Sequence, residues 1–169
     1  MWESSRATAY ARRLLPHDTM TQENYLRKGV PTNMTIEFFM PMIPPTVTHQ
    51  EKKIHVVKNK PHYYEPEELK DARAKLMANL SNKVPKQKFK NVPLELVTKW
   101  CFPKGTSHFN GEYRISKPDT DNLQKLLKDC MTQTGFWQDD ALVAREIVEK
   151  FWASVPGVYI RVTELEVAI

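Results

Sequence analysis

Apolar positions along the chain follow two periods, and the changes between them mark the elements. After a Gly-Val-Pro turn signal, "TIEFFM" reads as a short strand from Thr35 to Met40. Pro41 and the Pro44-Pro45 pair end it, because proline brings no N–H to a ladder. Residues 46–64 are polar and suit a long loop or an irregular hairpin. In "EPEELKDARAKLMANLSNKV" the spacing of Leu69, Ala72, Leu76 and Leu80 predicts a helix, with Pro66 and glutamates at its start. "VPLELVTKWCFP" alternates and predicts a strand over 92–102, followed by a polar loop over 103–116. Leu123, Leu126, Leu127, Cys130 and Met131 form one helical stripe, and Gly135 is the expected terminator. "VAREIVEKFWA" and "GVYIRVTELEV" read as two strands around the Ser154–Gly157 turn.

The order β-α-β-α-β-β predicts one α/β domain, a mixed parallel and antiparallel sheet with flanking helices. Residues 1–33 lack a clean period and contain Met20. The domain is therefore expected over 34–169, with 1–33 an upstream-encoded or non-native extension.

Composition narrows the picture modestly. No apolar run approaches the roughly 18 residues of a membrane span, and no signal-peptide profile is present, so a cytoplasmic protein is expected. Two cysteines, Cys101 and Cys130, make no disulfide framework and read as buried free thiols. Lysine plus arginine number 25 against 20 acidic residues, a formal charge of +5. The surplus is concentrated in two places. One holds Lys52, Lys53, Lys58 and Lys60, interleaved with His55, His62, Tyr63 and Tyr64. The other runs from Lys83 to Lys104 and includes Lys86, Lys88 and Lys90, opposed only by Glu95. Cations mixed with aromatic rings suit phosphates and bases together, although solvated lysines alone would give the same pattern.

Against that surplus, "KPDTDNLQKLLKDCMTQTGFWQDDALV" concentrates acid. Asp119 and Asp121 stand where a loop hands over to a helix, and Asp139 and Asp140 follow its end. An aspartate at a helix start can cap free N–H groups, worth roughly 0.5–2 kcal/mol. One cap explains one aspartate, not four. Lys125 lies one turn after Asp121, off the leucine stripe, so both can face a cleft while the helix stays anchored. Carboxylate oxygens beside a cation suit magnesium and phosphodiester chemistry. The helix is about 20 Å long at 1.5 Å per residue, so Asp140 joins the other two only if the chain folds back. An EF-hand is excluded, because Gln124 and Cys130 stand where glycine and glutamate are needed. The histidines show no zinc spacing. Capping plus surface charge remains the competing account of these residues.

The same segment closely resembles the signature of the RusA family of Holliday junction resolvases, in which D-x-D-N-L-x-K opens a helix and G-x-x-x-D-D follows. "FFMPMIPP" is similar to the family's opening strand and proline pair. The resemblance implies a small homodimer that uses magnesium, with manganese as a substitute, to nick branched DNA at four-way junctions. The cuts are paired and symmetric and leave 5′-phosphate and 3′-hydroxyl ends. Carried over residue by residue, it makes Asp119, Asp121 and Asp140 the metal ligands, with Lys125 assisting at the phosphate. Asp139 becomes a local cap or an outer residue. It also implies a bacterial or phage-infected cytosol and a recombination or repair setting.

After the proline pair this chain reads "TVTHQEKK" where the best-known members are rich in Asn, Tyr and Arg. His49, Lys52 and Lys53 are the residues placed to contact DNA there. A two-fold dimer suits a junction with two symmetry-related strands. Phe136-Trp137 and the first helix are candidate dimer surfaces, with core packing the alternative for the aromatic pair. A non-catalytic branched-DNA-binding protein and a magnesium-dependent nucleotide hydrolase are the rival functions.

Overall fold

The computed structural model describes residues 33–47, 53–57, 60–64 and 66–166. The elements are β1 (Thr35–Pro41), β2 (Lys53–Val57), β3 (Lys60–Tyr64), α1 (Glu67–Ser81), β4 (Leu94–Pro103), α2 (Thr120–Thr134), β5 (Val143–Ala153) and β6 (Gly157–Glu164). A short 3-10 turn, Asp140–Leu142, leads into β5. Four strands form one sheet in the order β1-β6-β4-β5, and β2 and β3 pair as a separate antiparallel hairpin. β4 and β5 are parallel, whereas β6 runs antiparallel to both β1 and β4. The mixed sheet of an α/β domain is therefore present as expected. Of the two readings for residues 46–64, loop or irregular hairpin, the structure shows a hairpin over Lys53–Val57 and Lys60–Tyr64.

The two faces of the sheet are built differently. One packs against both helices: Leu69, Leu76 and Leu80 of α1, and Leu123, Leu126 and Leu127 of α2, are all fully buried against it. Each such leucine contributes on the order of 1.5–3 kcal/mol of hydrophobic burial. Phe136 and Trp137 also lie here at 0% exposure, so this aromatic pair belongs to the core and is not a dimer surface. Trp137 Nε1 donates to Thr132 Oγ1 at 2.7 Å, which satisfies the indole without water.

The other face carries a smaller apolar group, Phe39, Val97, Cys101, Ala153 and Tyr159, with charges set among it. Lys99 is fully buried; its Nζ lies 3.3 Å from Glu149 Oε2 and 5.7 Å above the Phe151 ring. Burial holds its pKa below the usual lysine range, and the Glu149 carboxylate opposes that shift. Glu95 is held by Arg145 and by Arg161, and the Tyr159 hydroxyl donates to Glu37 Oε1 at 2.8 Å. Both cysteines are buried free thiols, and burial pushes Cys101 up to about 11, far from a reactive thiolate. The turn into β6 needs Gly157: a Cβ there would stand 2.2 Å from the Phe39 ring and 2.5 Å from the Met40 carbonyl oxygen.

The Lys99–Glu149 pair gives a stability test. Glu149→Leu leaves a buried ammonium without its counter-charge and is expected to cost about 3–5 kcal/mol in urea unfolding. Adding Lys99→Met removes the orphaned charge and should restore most of that loss. A single variant as stable as the wild type would show that the pair is not desolvated.

Candidate active site

Asp119 occupies the N-cap of α2 with extended backbone (φ −74°, ψ 150°), yet its side chain makes no capping hydrogen bond. Asp139 behaves oppositely: its Oδ1 accepts from the Ala141 N–H at 2.8 Å and caps the 3-10 turn. Local capping therefore accounts for Asp139 and leaves Asp119 without that employment. Asp121 sits in the first turn of α2 and Lys125 one turn later, both exposed. Among the described residues no hydrogen bond or ion pair engages the carboxylates of Asp119, Asp121 or Asp140, or the Lys125 ammonium. The helix N-terminus beneath the first two favours negative charge there by up to about 1 kcal/mol each.

What keeps this end in place is the opposite side of the helix. Asn122, Leu123, Gln124, Leu126 and Leu127 are buried, and Thr98 Oγ1 of β4 donates to Gln124 Oε1 at 2.9 Å. The approach to Asp119 is equally constrained. Residues 109–114 lie along the outer edge of β5: Gly111 N donates to Trp152 O at 2.8 Å, Trp152 N to Glu112 O at 2.8 Å, and Arg114 N to Lys150 O at 2.9 Å. The Arg114 guanidinium lies 4.0 Å from the Phe102 ring centre and 4.4 Å from that of Trp152, and its Nη2 donates to the Lys117 carbonyl. Lys150 Nζ donates to Ser116 O at 3.0 Å and to Pro118 O at 2.7 Å. One ammonium thus holds two of the last three carbonyls before Asp119. Sequence reasoning passed over Arg114, Lys150, Thr98 and Gln124. The available signal for Lys150 was its register, since the neighbouring even positions of β5, Val148 and Trp152, pack toward the helices.

The path of α2 also sets where Asp140 falls. Pro118 meets Lys150 and Lys128 meets Glu146, so the helix descends as β5 ascends. β5 starts opposite Leu94, the first residue of β4. The seven strand steps from Lys150 to Val143 cover about 23 Å at 3.3 Å each. Asp140, three residues before Val143, therefore lies on the order of 20 Å from Asp119 and Asp121 within one chain. The fold-back that would gather all three is not made. Consistently, among the described residues no three His, Cys, Asp or Glu side chains are grouped closely enough to hold a metal ion. The donor chemistry suits a hard divalent cation, but one chain alone does not present the set.

Of the basic residues, Lys86, Lys88 and Lys90 are exposed on the segment between α1 and β4. Phe89 anchors that segment: it is buried, its N–H donates to Phe136 O at 3.0 Å, and its carbonyl accepts from Gln138 N at 3.2 Å. Lys53 and Lys60 belong to the β2–β3 hairpin, while His49, Lys52 and Lys58 lie outside the described residues.

A helix N-terminus with unengaged carboxylates and an exposed lysine one turn on, in a basic chain, suits phosphodiester chemistry. Comparison with known proteins gives the family. The model described as Endodeoxyribonuclease RusA matches residues 41–163, and the chain belongs to that family of nucleases. A curated relative, the crossover junction endodeoxyribonuclease rusA of Lactococcus phage r1t, is 30% identical over 133 residues, which is 78% of this chain and 100% of the relative.

If Lys150 holds the Asp119 turn as drawn, Lys150→Met should lower the DNA cleavage rate about 10–100-fold, the usual effect of losing an outer supporting contact. Lys150→Arg should retain part of it. Equal rates for Lys150→Met and wild type, measured on end-labelled DNA, would remove Lys150 from the site.

Proposed function

We propose that this chain is a magnesium-dependent, structure-selective endodeoxyribonuclease that works as a homodimer and resolves Holliday junctions by paired, symmetric nicks. The observation that carries the reading is a set of three exposed or half-exposed carboxylates without structural employment, within the stretch that matches a nuclease family. Asp119 and Asp121 of one chain would hold the cation together with Asp140 of the partner subunit, which overcomes the separation within a single chain. A two-fold axis then makes two equivalent centres, one for each strand to be cut. A magnesium ion, or manganese in its place, would stabilise charge building on the phosphate and lower the pKa of bound water.

The chain's own residues do the rest. Lys125, exposed one turn after Asp121, would meet the phosphate oxygens. In the cut itself water adds to phosphorus, the bond to the 3′ oxygen breaks, and that oxygen takes up a proton, leaving a 5′-phosphate and a 3′-hydroxyl. Lys86, Lys88 and Lys90, with His49, Lys52, Lys53, Lys58 and Lys60, supply the cations that draw a DNA backbone toward these acids.

The primary test is cleavage of an end-labelled four-way junction beside linear duplex of the same sequence, with magnesium or EDTA. Symmetric nicks in the junction alone, and only with magnesium, are expected. Binding without cutting under every divalent metal would leave a branched-DNA-binding protein. Asp121→Asn should abolish nicking while preserving junction binding.

Subunit mixing tests the shared centre. Asp121→Asn and Asp140→Asn chains are each expected to be inactive, but mixed equally they should regain about a quarter of wild-type activity. Half the dimers would be mixed, each with one intact centre. No recovery in a mixture shown to exchange subunits would place the whole centre within one chain.

A further inference from the structure

We infer that the pocket between the Lys86–Lys90 segment and the end of the sheet is a phosphodiester-binding site that grips the DNA strand beside the cut. The inference rests on the proposed nuclease function and adds a discrete anchoring site to it. The pocket has a volume of about 480 Å³ and is lined by Lys86, Lys88, Lys90, Met34, Val92 and Glu164. Its walls are fixed by backbone bonds: Glu164 N to Met34 O at 3.0 Å, and Leu165 N to Pro93 O at 2.8 Å.

The charge balance points to an anion. Glu164, the one acid in the lining, already accepts from the Met34 N–H through Oε2 at 3.0 Å. No carboxylate among the described residues pairs with any of the three lysines. With Phe89 turned inward and buried, Lys88 and Lys90 on either side of it are turned outward and exposed. The stretch from Lys86 to Lys90, which bends at Lys86–Gln87, reaches at most about 13 Å, enough to meet more than one phosphate of a strand. Met34 and Val92 add an apolar floor suited to a sugar face.

Position decides which anion. Gln138 N donates to the carbonyl of Phe89, next to Lys90 in the chain, and Asp140 follows two residues later. The pocket therefore opens at the Asp140 end of the molecule. If Asp140 completes a centre with a partner's Asp119 and Asp121, the lysines hold phosphates on the same strand a short way from the scissile one.

The test is junction binding by fluorescence anisotropy without divalent metal, across a salt series. The proteins compared are wild type, Lys86→Gln/Lys88→Gln/Lys90→Gln, and a control with the exposed Lys70 and Lys75 changed to Gln. Each lost phosphate contact removes about 0.9 from the slope of log affinity against log salt. The triple variant should lose about 2–3 of that slope and bind at least about tenfold more weakly near physiological salt, with the control unchanged. An unaltered slope would overturn the proposal. So would loss of binding to a labelled free nucleotide with junction binding intact, which would make the pocket a nucleotide site. Failure of the wild type to bind junctions at all would refute the nuclease reading itself, and the variants would not be needed to see it.

Discussion

Parallel neighbours in a sheet cannot be joined by a tight turn, and that constraint governs this molecule. β4 and β5 are parallel, so the chain must leave the top of β4 and return to the bottom of β5 through a crossover element. α2 is that element. Its N-terminus is thereby placed at one end of the sheet and its C-terminus at the other. Asp119 and Asp121 go with the first and Asp140 with the second. Both the exposure of the two leading carboxylates and their distance from the third follow from this one connection.

Holding such a site open requires rigidity behind it. Carboxylates kept free of local bonds do nothing to order the turn that bears them. Order is imported through Lys150, whose ammonium takes two carbonyls of the approaching loop, and through Arg114, wedged between Phe102 and Trp152. On the far side of α2, Thr98 and Gln124 fix the helix against β4 by a buried hydrogen bond that a purely apolar contact would not direct. The position of the α2 N-terminus thus depends on neighbours from β4, β5 and the loop between them, far apart in the chain.

The Phe89–Trp137 contact plays the matching part at the other end. It links the lysine segment to the turn that carries Asp140, so cations and acid are fixed relative to each other. A basic chain can then attract a polyanion while presenting acids to it, because the two signs sit on adjacent, separately anchored segments.

The two described helices and the strands of the main sheet were legible as local patterns, the buried stripe of α2 most clearly; β4 reads as a strand too, although the fold buries it on both faces. The sequence by itself also determined which acids were candidates: a D-x-D-N-L-x-K segment at a helix start is legible without coordinates. The family resemblance allows Asp139 to be a local cap or an outer residue, and the structure makes it the cap, its Oδ1 accepting from Ala141 N. Packing between distant segments puts Phe136 and Trp137 in the core, makes Lys150 clamp the approach to Asp119, and leaves Asp140 at the opposite end of the helix. Each of these depends on which strand lies beside which and in what direction. Strand direction and neighbour order arise from long-range packing, and no local period along the chain encodes them.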